Sequence, residues 1–230
     1  MHVKSFLIKE FQGWNKVEIL SLSAVFLVIF LNAIILKDSI IAVISAICGI
    51  LYTVLAGKGR ISCYFFGLSG SGCYCWLAFQ NALYGNLALY LFYYIPMELI
   101  GIFKWGKNLK KNSNEIIKTK LSNKERVFLF IICIFASLIG IYLIKSTGGS
   151  KPFLDGITTV LSIAGMYLTV KRCIEQWIIW IVVNGLSFFM WANLIIHGTK
   201  AYSTLIMWAF YFMAAIYFYL KWKKEIYHTI

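Results

Sequence analysis

The chain has 230 residues, of which 60% are hydrophobic, 17% aromatic and only 13% charged. That balance excludes an ordinary soluble globular domain and points to an all-α, multi-pass membrane protein. The net charge of +13 would suit a nucleic-acid binder, but the basic residues flank apolar runs, so no nucleic-acid partner is expected.

Eight apolar runs occur at about residues 18 to 36, 39 to 57, 61 to 84, 86 to 104, 127 to 144, 153 to 170, 175 to 197 and 201 to 220. Each is long enough to cross a hydrocarbon core of about 30 Å as a helix. The first follows a Lys-bearing amphipathic segment with no small-residue cleavage site, so a retained helix is expected there rather than a signal peptide.

The third run contains FGLSGSGCYCWLAFQNALYGN. A helix turns about 100° per residue, which puts Gly67, Gly70, Ser71, Tyr74, Ala78 and Asn81 on one stripe. The small residues suit close helix packing, and they do not form a phosphate loop, because the G-x-x-x-x-G-K-[ST] pattern is missing. Gln80 and Asn81 are candidate ligands, since paired amides suit ribose hydroxyls or a carboxamide. The plain alternative is a pair of interfacial polar residues.

In the fourth run, YYIPMELIG carries Glu98, the only acid deep within an apolar run. Such a carboxylate must find a partner or water. It is a candidate for balancing a cationic ligand, lining an inner gate or coupling protons; the alternative is that it turns to the interface beside Lys104. Pro96 just before it is expected to kink the helix. Tyr90, Tyr93 and Tyr94, with Trp208 and Tyr211 of the last run, offer an aromatic cage; the plain alternative for most of them is packing or the interfacial belt, and Tyr211 lies deep enough to face a ligand.

The seventh run contains EQWIIWIVVNGLSFFMW. Trp177, Trp180, Asn184, Ser187, Phe188 and Trp191 fall on one stripe, an aromatic wall with an amide near its middle. Such a wall suits a flat, partly polar ligand. Taken alone, Asn184 reads more readily as interhelical hydrogen-bonding glue, and the tryptophans as packing.

The six cysteines lie in or beside apolar runs with no C-x-x-C and no histidine at ligand spacing. They read as packing residues, and neither a metal nor a cofactor is expected. With both termini placed in the cytoplasm, 18 of the 22 basic residues fall on that side, as the positive-inside rule requires. The cluster from Lys104 to Arg126 then serves as a topology signal and headgroup contact.

A weak repeat sets Gly49 against Gly165, aligning ISAICGILYTVLAGK with LSIAGMYLTVKR. The following helices also correspond, and both third helices end with a tryptophan beside lysines, Trp105 and Trp222, read here as interfacial anchors. Corresponding helices start on the same side, so the two halves form a parallel repeat, typical of transporters with the substrate between the halves. The polar stretch 105 to 126 is the natural linker.

The run Q-W-x-x-W-x-x-x-N at Gln176 to Asn184, with FGLSGSGCYCWLAFQNALYGN and IGIFKWGK, resembles the PnuC family of vitamin-precursor transporters over roughly residues 39 to 224. The resemblance implies two three-helix bundles of the SWEET kind joined by a linking helix, a 3+1+3 arrangement plus an N-terminal helix. On this chain that gives a peripheral segment at 1–38, a first bundle at 39–105, a loop and linker helix at 106–152, a second bundle at 153–224 and a tail at 225–230. Carried over by motif position, Trp180 and Asn184 bind substrate, while Trp177 and Gln176 frame the inner mouth.

The expected activity is facilitated uptake of nicotinamide riboside at the cell membrane, with trapping by a cytoplasmic kinase. Its partners are then a small vitamin or nucleoside and the lipid bilayer, with room for a homo-oligomer. Thiamine, riboflavin and deoxynucleosides are the rival substrates, and a vitamin-capture module serving an ATPase is the rival class. No paired acids, His cluster or nucleophile motif supports an enzyme.

Overall fold

In this computed structural model, the described residues are 10, 13–36, 39–80, 84–111, 113–146, 148, 152–197 and 202–228. Among them the chain forms helices α1 (Lys16–Leu36), α2 (Ile40–Gly57), α3 (Cys63–Gln80), α4, α5 (Asn123–Ser146), α6 (Pro152–Val170), α7 (Glu175–Ile196) and α8 (Tyr202–His228). Helix α4 runs through Tyr84–Leu89, a π-helical turn at Tyr90–Tyr94, and Ile95–Gly106. The π turn has a local cause. Pro96 has no N–H to donate and its ring crowds the preceding turn, and the backbone widens so that the Ile95 N–H reaches the Tyr90 carbonyl.

Seven of these helices are long and apolar enough to cross a membrane. Helix α3 keeps the length of a span, at 18 residues, but Gly67, Ser69, Gly70, Ser71 and Gly72 stand where large apolar side chains would raise its hydropathy. At Gly67 and Gly70 the apolarity was exchanged for close approach.

The chain divides into two compact units at Ile117 and Lys118. In the first, α3 packs on both α2 and α4. A β-carbon on Gly67 would lie 2.9 Å from the Tyr52 ring of α2, and one on Gly101 of α4 would run into the Tyr64 ring of α3. Each ring therefore rests directly on a neighbour's backbone. Helix α1 lies against α2 and is tied to it by a buried ion pair, Lys58 Nζ to Glu18 at 2.7 Å. Lys58 also donates to the Gly13 carbonyl at 2.8 Å and lies over the Trp14 ring.

In the second unit, α5 packs along α6, α6 on α7 and α7 on α8. The α5–α6 crossing is tight, since a β-carbon on Gly156 would lie 2.8 Å from the Ile141 backbone nitrogen. Helix α5 packs within this unit.

The two units repeat in detail. Helix α2 ends in a Schellman turn, with Gly59 N–H to Ala56 O and Arg60 N–H to Leu55 O, both 2.9 Å. Helix α6 ends the same way, with Arg172 N–H to Thr169 O at 2.9 Å and Cys173 N–H to Leu168 O at 3.0 Å. Gly59 and Arg172 share the left-handed conformation, at φ 68° and 63°. In each turn that residue's carbonyl accepts from the polar segment, Ile116 N–H in the first unit and Thr119 N–H in the second, both at 2.9 Å.

These turns correct the alignment read from sequence. With Gly59 matched to Arg172, Tyr52 and not Gly49 stands opposite Gly165. The glycine match misled because the units exchange large for small. Tyr52 of α2 lies on Gly67 of α3, whereas Trp180 of α7 lies on Gly165 of α6. Trp105 and Trp222 also differ from expectation. Both are fully buried, packed edge-on against Tyr64 at 5.0 Å and Trp177 at 5.7 Å. The rings turned inward, onto neighbouring helices.

The α5–α6 crossing makes a testable contrast. Gly156→Ala must push backbone and is expected to lose about 1–3 kcal/mol. Gly140→Ala meets nothing nearer than 3.6 Å and should change stability by under about 0.5 kcal/mol. Thermal unfolding of the two variants in detergent distinguishes them, and equal losses would refute the packing assigned to Gly156.

Candidate functional site

The start of α7 is fixed from outside the helix. Glu175 Oε2 accepts from the Leu121 N–H at 3.1 Å and its Oε1 pairs with Arg126 at 2.8 Å, while the Ile174 N–H donates to the Thr119 carbonyl at 2.9 Å. A carboxylate at a helix N-terminus also complements the helix dipole. The next residues, Gln176 and Trp177, are thereby held in place.

Gln176 is wholly buried. Its Nε2 donates to the Cys173 carbonyl at 3.1 Å, and its Oε1 is buried without a partner. Trp177 packs on Phe218 and Trp222 of α8, with ring centroids at 5.4 and 5.7 Å, and its Nε1 is likewise buried and unpartnered. A stranded acceptor and a stranded donor on consecutive residues need an explanation.

Trp180 faces the other neighbour. Its ring lies on Gly165 of α6, where a β-carbon would be 3.0 Å away, and its Nε1 donates to Thr169 Oγ1 at 3.4 Å. Thr169, itself buried, donates to the Gly165 carbonyl at 2.9 Å. The expected wall is therefore divided, with Trp177 turned to α8 and Trp180 to α6. Asn184, further along α7, is 7% exposed, and its side-chain amide makes no hydrogen bond among the described residues. Interhelical glue would show a partner; Asn184 keeps its capacity free.

The other expected residues are scattered. Tyr211 of α8 is half-buried with its ring edge-on to Trp208 at 6.0 Å. Gln80 is exposed at the last position of α3, and Asn81 lies outside the described residues. In the first unit Glu98 is only 4% exposed, which corrects the reading that turns it to the interface beside Lys104. The Ser71 hydroxyl on α3 donates to Glu98 Oε1 at 3.0 Å, which draws the side chain inward. Tyr90 stacks with Tyr74 at 4.4 Å and with Tyr94 at 4.7 Å. Among the described residues no group of His, Cys, Asp or Glu could hold a metal ion.

Thr169 and Gly165 were missed from sequence. A threonine before the Lys171–Arg172 pair looks like helix-end filler, and only the fold shows that it orients Trp180.

Residues 39–224 match the family described as nicotinamide mononucleotide transporter. The nicotinamide riboside transporter PnuC of Haemophilus influenzae is 34% identical, over 94% of this chain and 94% of its own length. Its counterpart from Neisseria mucosa is 33% identical, over 94% of this chain and 84% of its own length. A crystal structure of the vitamin B3 transporter PnuC superposes with a TM-score of 0.80 at 30% identity, over 95% of each chain.

The contact between Trp180 and Gly165 can be checked without a ligand. Gly165→Val is expected to expel the indole and break its bond to Thr169, moving the Trp180 indole N–H resonance, assigned through Trp180→Phe, toward its solvent-exposed position. Thr169→Val should shift the same resonance less, because the ring keeps its seat. An unmoved resonance in Gly165→Val would show that the ring rests elsewhere.

Proposed function

This chain belongs to the PnuC family, matched as nicotinamide mononucleotide transporters, and we propose that it carries nicotinamide riboside across the cell membrane by facilitated diffusion. It is a multi-pass membrane transporter. The observation that carries the substrate reading is the pair on α7, the half-buried Trp180 indole and, one turn on, the buried Asn184 amide with no partner.

The chemistry fits a ribosylated pyridinium. The ring carries positive charge and favours a tryptophan face, an attraction of about 1–2 kcal/mol when desolvated. The Thr169 hydroxyl holds the indole in one orientation, so little freedom is lost on binding. The Asn184 amide offers a donor and an acceptor to ribose hydroxyls or the carboxamide. Gln176 and Trp177 frame the cytoplasmic mouth, where their unpartnered Oε1 and Nε1 await a polar group in another conformation.

The family description names the mononucleotide and the relatives' names give the riboside. The residues favour the riboside. Helices α6 and α7 contain no Lys or Arg, and α8 has none before Lys221. A phosphate in that environment would lack the charged donors it requires. The chain has no ATP-binding loop, so the driving force is the gradient of the riboside itself, and net uptake then depends on a cytoplasmic kinase that traps it. Both termini lie in the cytoplasm under the positive-inside rule. The bundles at 39–105 and 153–224 are the halves that alternate access.

Binding to the purified chain, followed by calorimetry, tests the substrate. Nicotinamide riboside should bind more tightly than its mononucleotide, thiamine, riboflavin or a deoxynucleoside. Trp180→Ala and Asn184→Ala should each weaken it about tenfold. In vesicles the substrate should equilibrate and stop, with or without a proton gradient. Tighter binding of thiamine or of the mononucleotide overturns the assignment.

A further inference from the structure

We propose that Glu98 is a specificity-determining residue, a buried negative charge in the first unit by which the carrier favours a cationic ligand over an uncharged one; this rests on the nicotinamide riboside reading. The argument begins with the repeat. The Schellman turns match Gly59 to Arg172, and the same spacing along α3 and α7 matches Ser71 to Asn184. Each unit thus carries one buried polar side chain at the same distance from its own turn. In the second unit that side chain is an amide without a partner. In the first it is a hydroxyl that donates to a carboxylate, Ser71 to Glu98 Oε1 at 3.0 Å.

The carboxylate departs from the repeat. Trp105 and Trp222 are equivalent, each buried against the matched rings Tyr64 and Trp177, and counting back from them sets Glu98 opposite Ala215. Ala215 is buried in the second unit, so the scaffold closes at this position without an acid. Nor does Glu98 hold the first unit together as an ion pair, for it forms none among the described residues and its Oε2 is buried with no partner. The groups around it are Tyr52 of α2 and Gly67 of α3, Ser71 of α3, and Tyr94 one turn earlier on α4. None is basic.

A membrane-buried carboxylate with one oxygen held and the other open is expensive to keep, and it is kept where a cation is to be met. The chemistry beside it agrees. Tyr94 continues into a stack with Tyr90 and Tyr74, so the carboxylate's neighbours on its own helix are aromatic faces, which tolerate a cation, and not basic groups, which would repel it. Ser71 fixes the direction of the carboxylate and occupies the oxygen nearest α3, leaving Oε2 for the charge.

The test compares two ligands that differ in charge and hardly in shape, nicotinamide riboside and its uncharged 1,4-dihydro form, by calorimetry on the purified chain. Glu98→Gln keeps the size and the Ser71 contact and removes only the charge. It should weaken the cation on the order of tenfold or more and leave the dihydro form within about twofold. Ser71→Ala, which keeps the charge, should preserve the preference for the cation. If Glu98→Gln weakens both ligands equally, Glu98 is a packing residue and the proposal fails; if it weakens neither, the proposal fails as well. A wild-type chain that binds neither form refutes the substrate reading itself, takes this proposal with it, and is recognised without any variant.

Discussion

Close approach of helices is the constraint on which the rest of this molecule depends. In lipid there is little hydrophobic drive to bring helices together, so association rests on packing and on hydrogen bonds that water cannot replace. The chain meets that need by setting rings on glycines: Tyr52 on Gly67, Tyr64 on Gly101 and Trp180 on Gly165. Each contact puts an aromatic face against a backbone and fixes both the spacing and the rotation of the pair. Ser71 reaches Glu98 because α3 and α4 approach closely where Gly101 admits Tyr64. Trp180 reaches Thr169 for the same reason. The polar chemistry is therefore a consequence of the small residues.

The second constraint is the satisfaction of helix ends. Two Schellman turns place one carbonyl each in the left-handed position, and the polar segment after α4 supplies an N–H to each. A charged stretch that reads as a plain linker is thus hydrogen-bonded structure, and it also anchors α7 through Leu121 and Glu175. Arg172 tolerates a conformation that Gly59 adopts freely, which shows that the turn is imposed by its hydrogen bonds and not by residue preference.

Much of this was legible in the sequence. Apolar runs longer than a bilayer is thick mark helices with little ambiguity, and the eight runs correspond to the eight helices named among the described residues. The repeat was visible. Its exact alignment was not, because sequence matching pairs like with like, and the two units pair Tyr52 with Gly165. Trp105 and Trp222 beside lysines have the composition of a membrane belt; whether such a ring points outward depends on the partner helix, here Tyr64 and Trp177, which no local pattern reveals. The orientation of Glu98 was open for the same reason. A carboxylate a few turns from a lysine will reach for it unless something nearer competes, and Ser71, on another helix, is invisible to a reading along α4.

The repeat also explains why the two units differ where they do. Duplicated scaffolds keep what holds helices together and are free to diverge elsewhere, so the turns, the buried tryptophans and the ring-on-backbone contacts recur in both. The polar residues at equivalent depth do not. Asn184 and Ala215 occupy in the second unit what Ser71 and Glu98 occupy in the first, a neutral amide against a carboxylate. The difference has an electrostatic cost on one side only: the second unit buries an amide, the first a carboxylate, and in a medium of low dielectric a buried charge is far more expensive to keep than a neutral polar group.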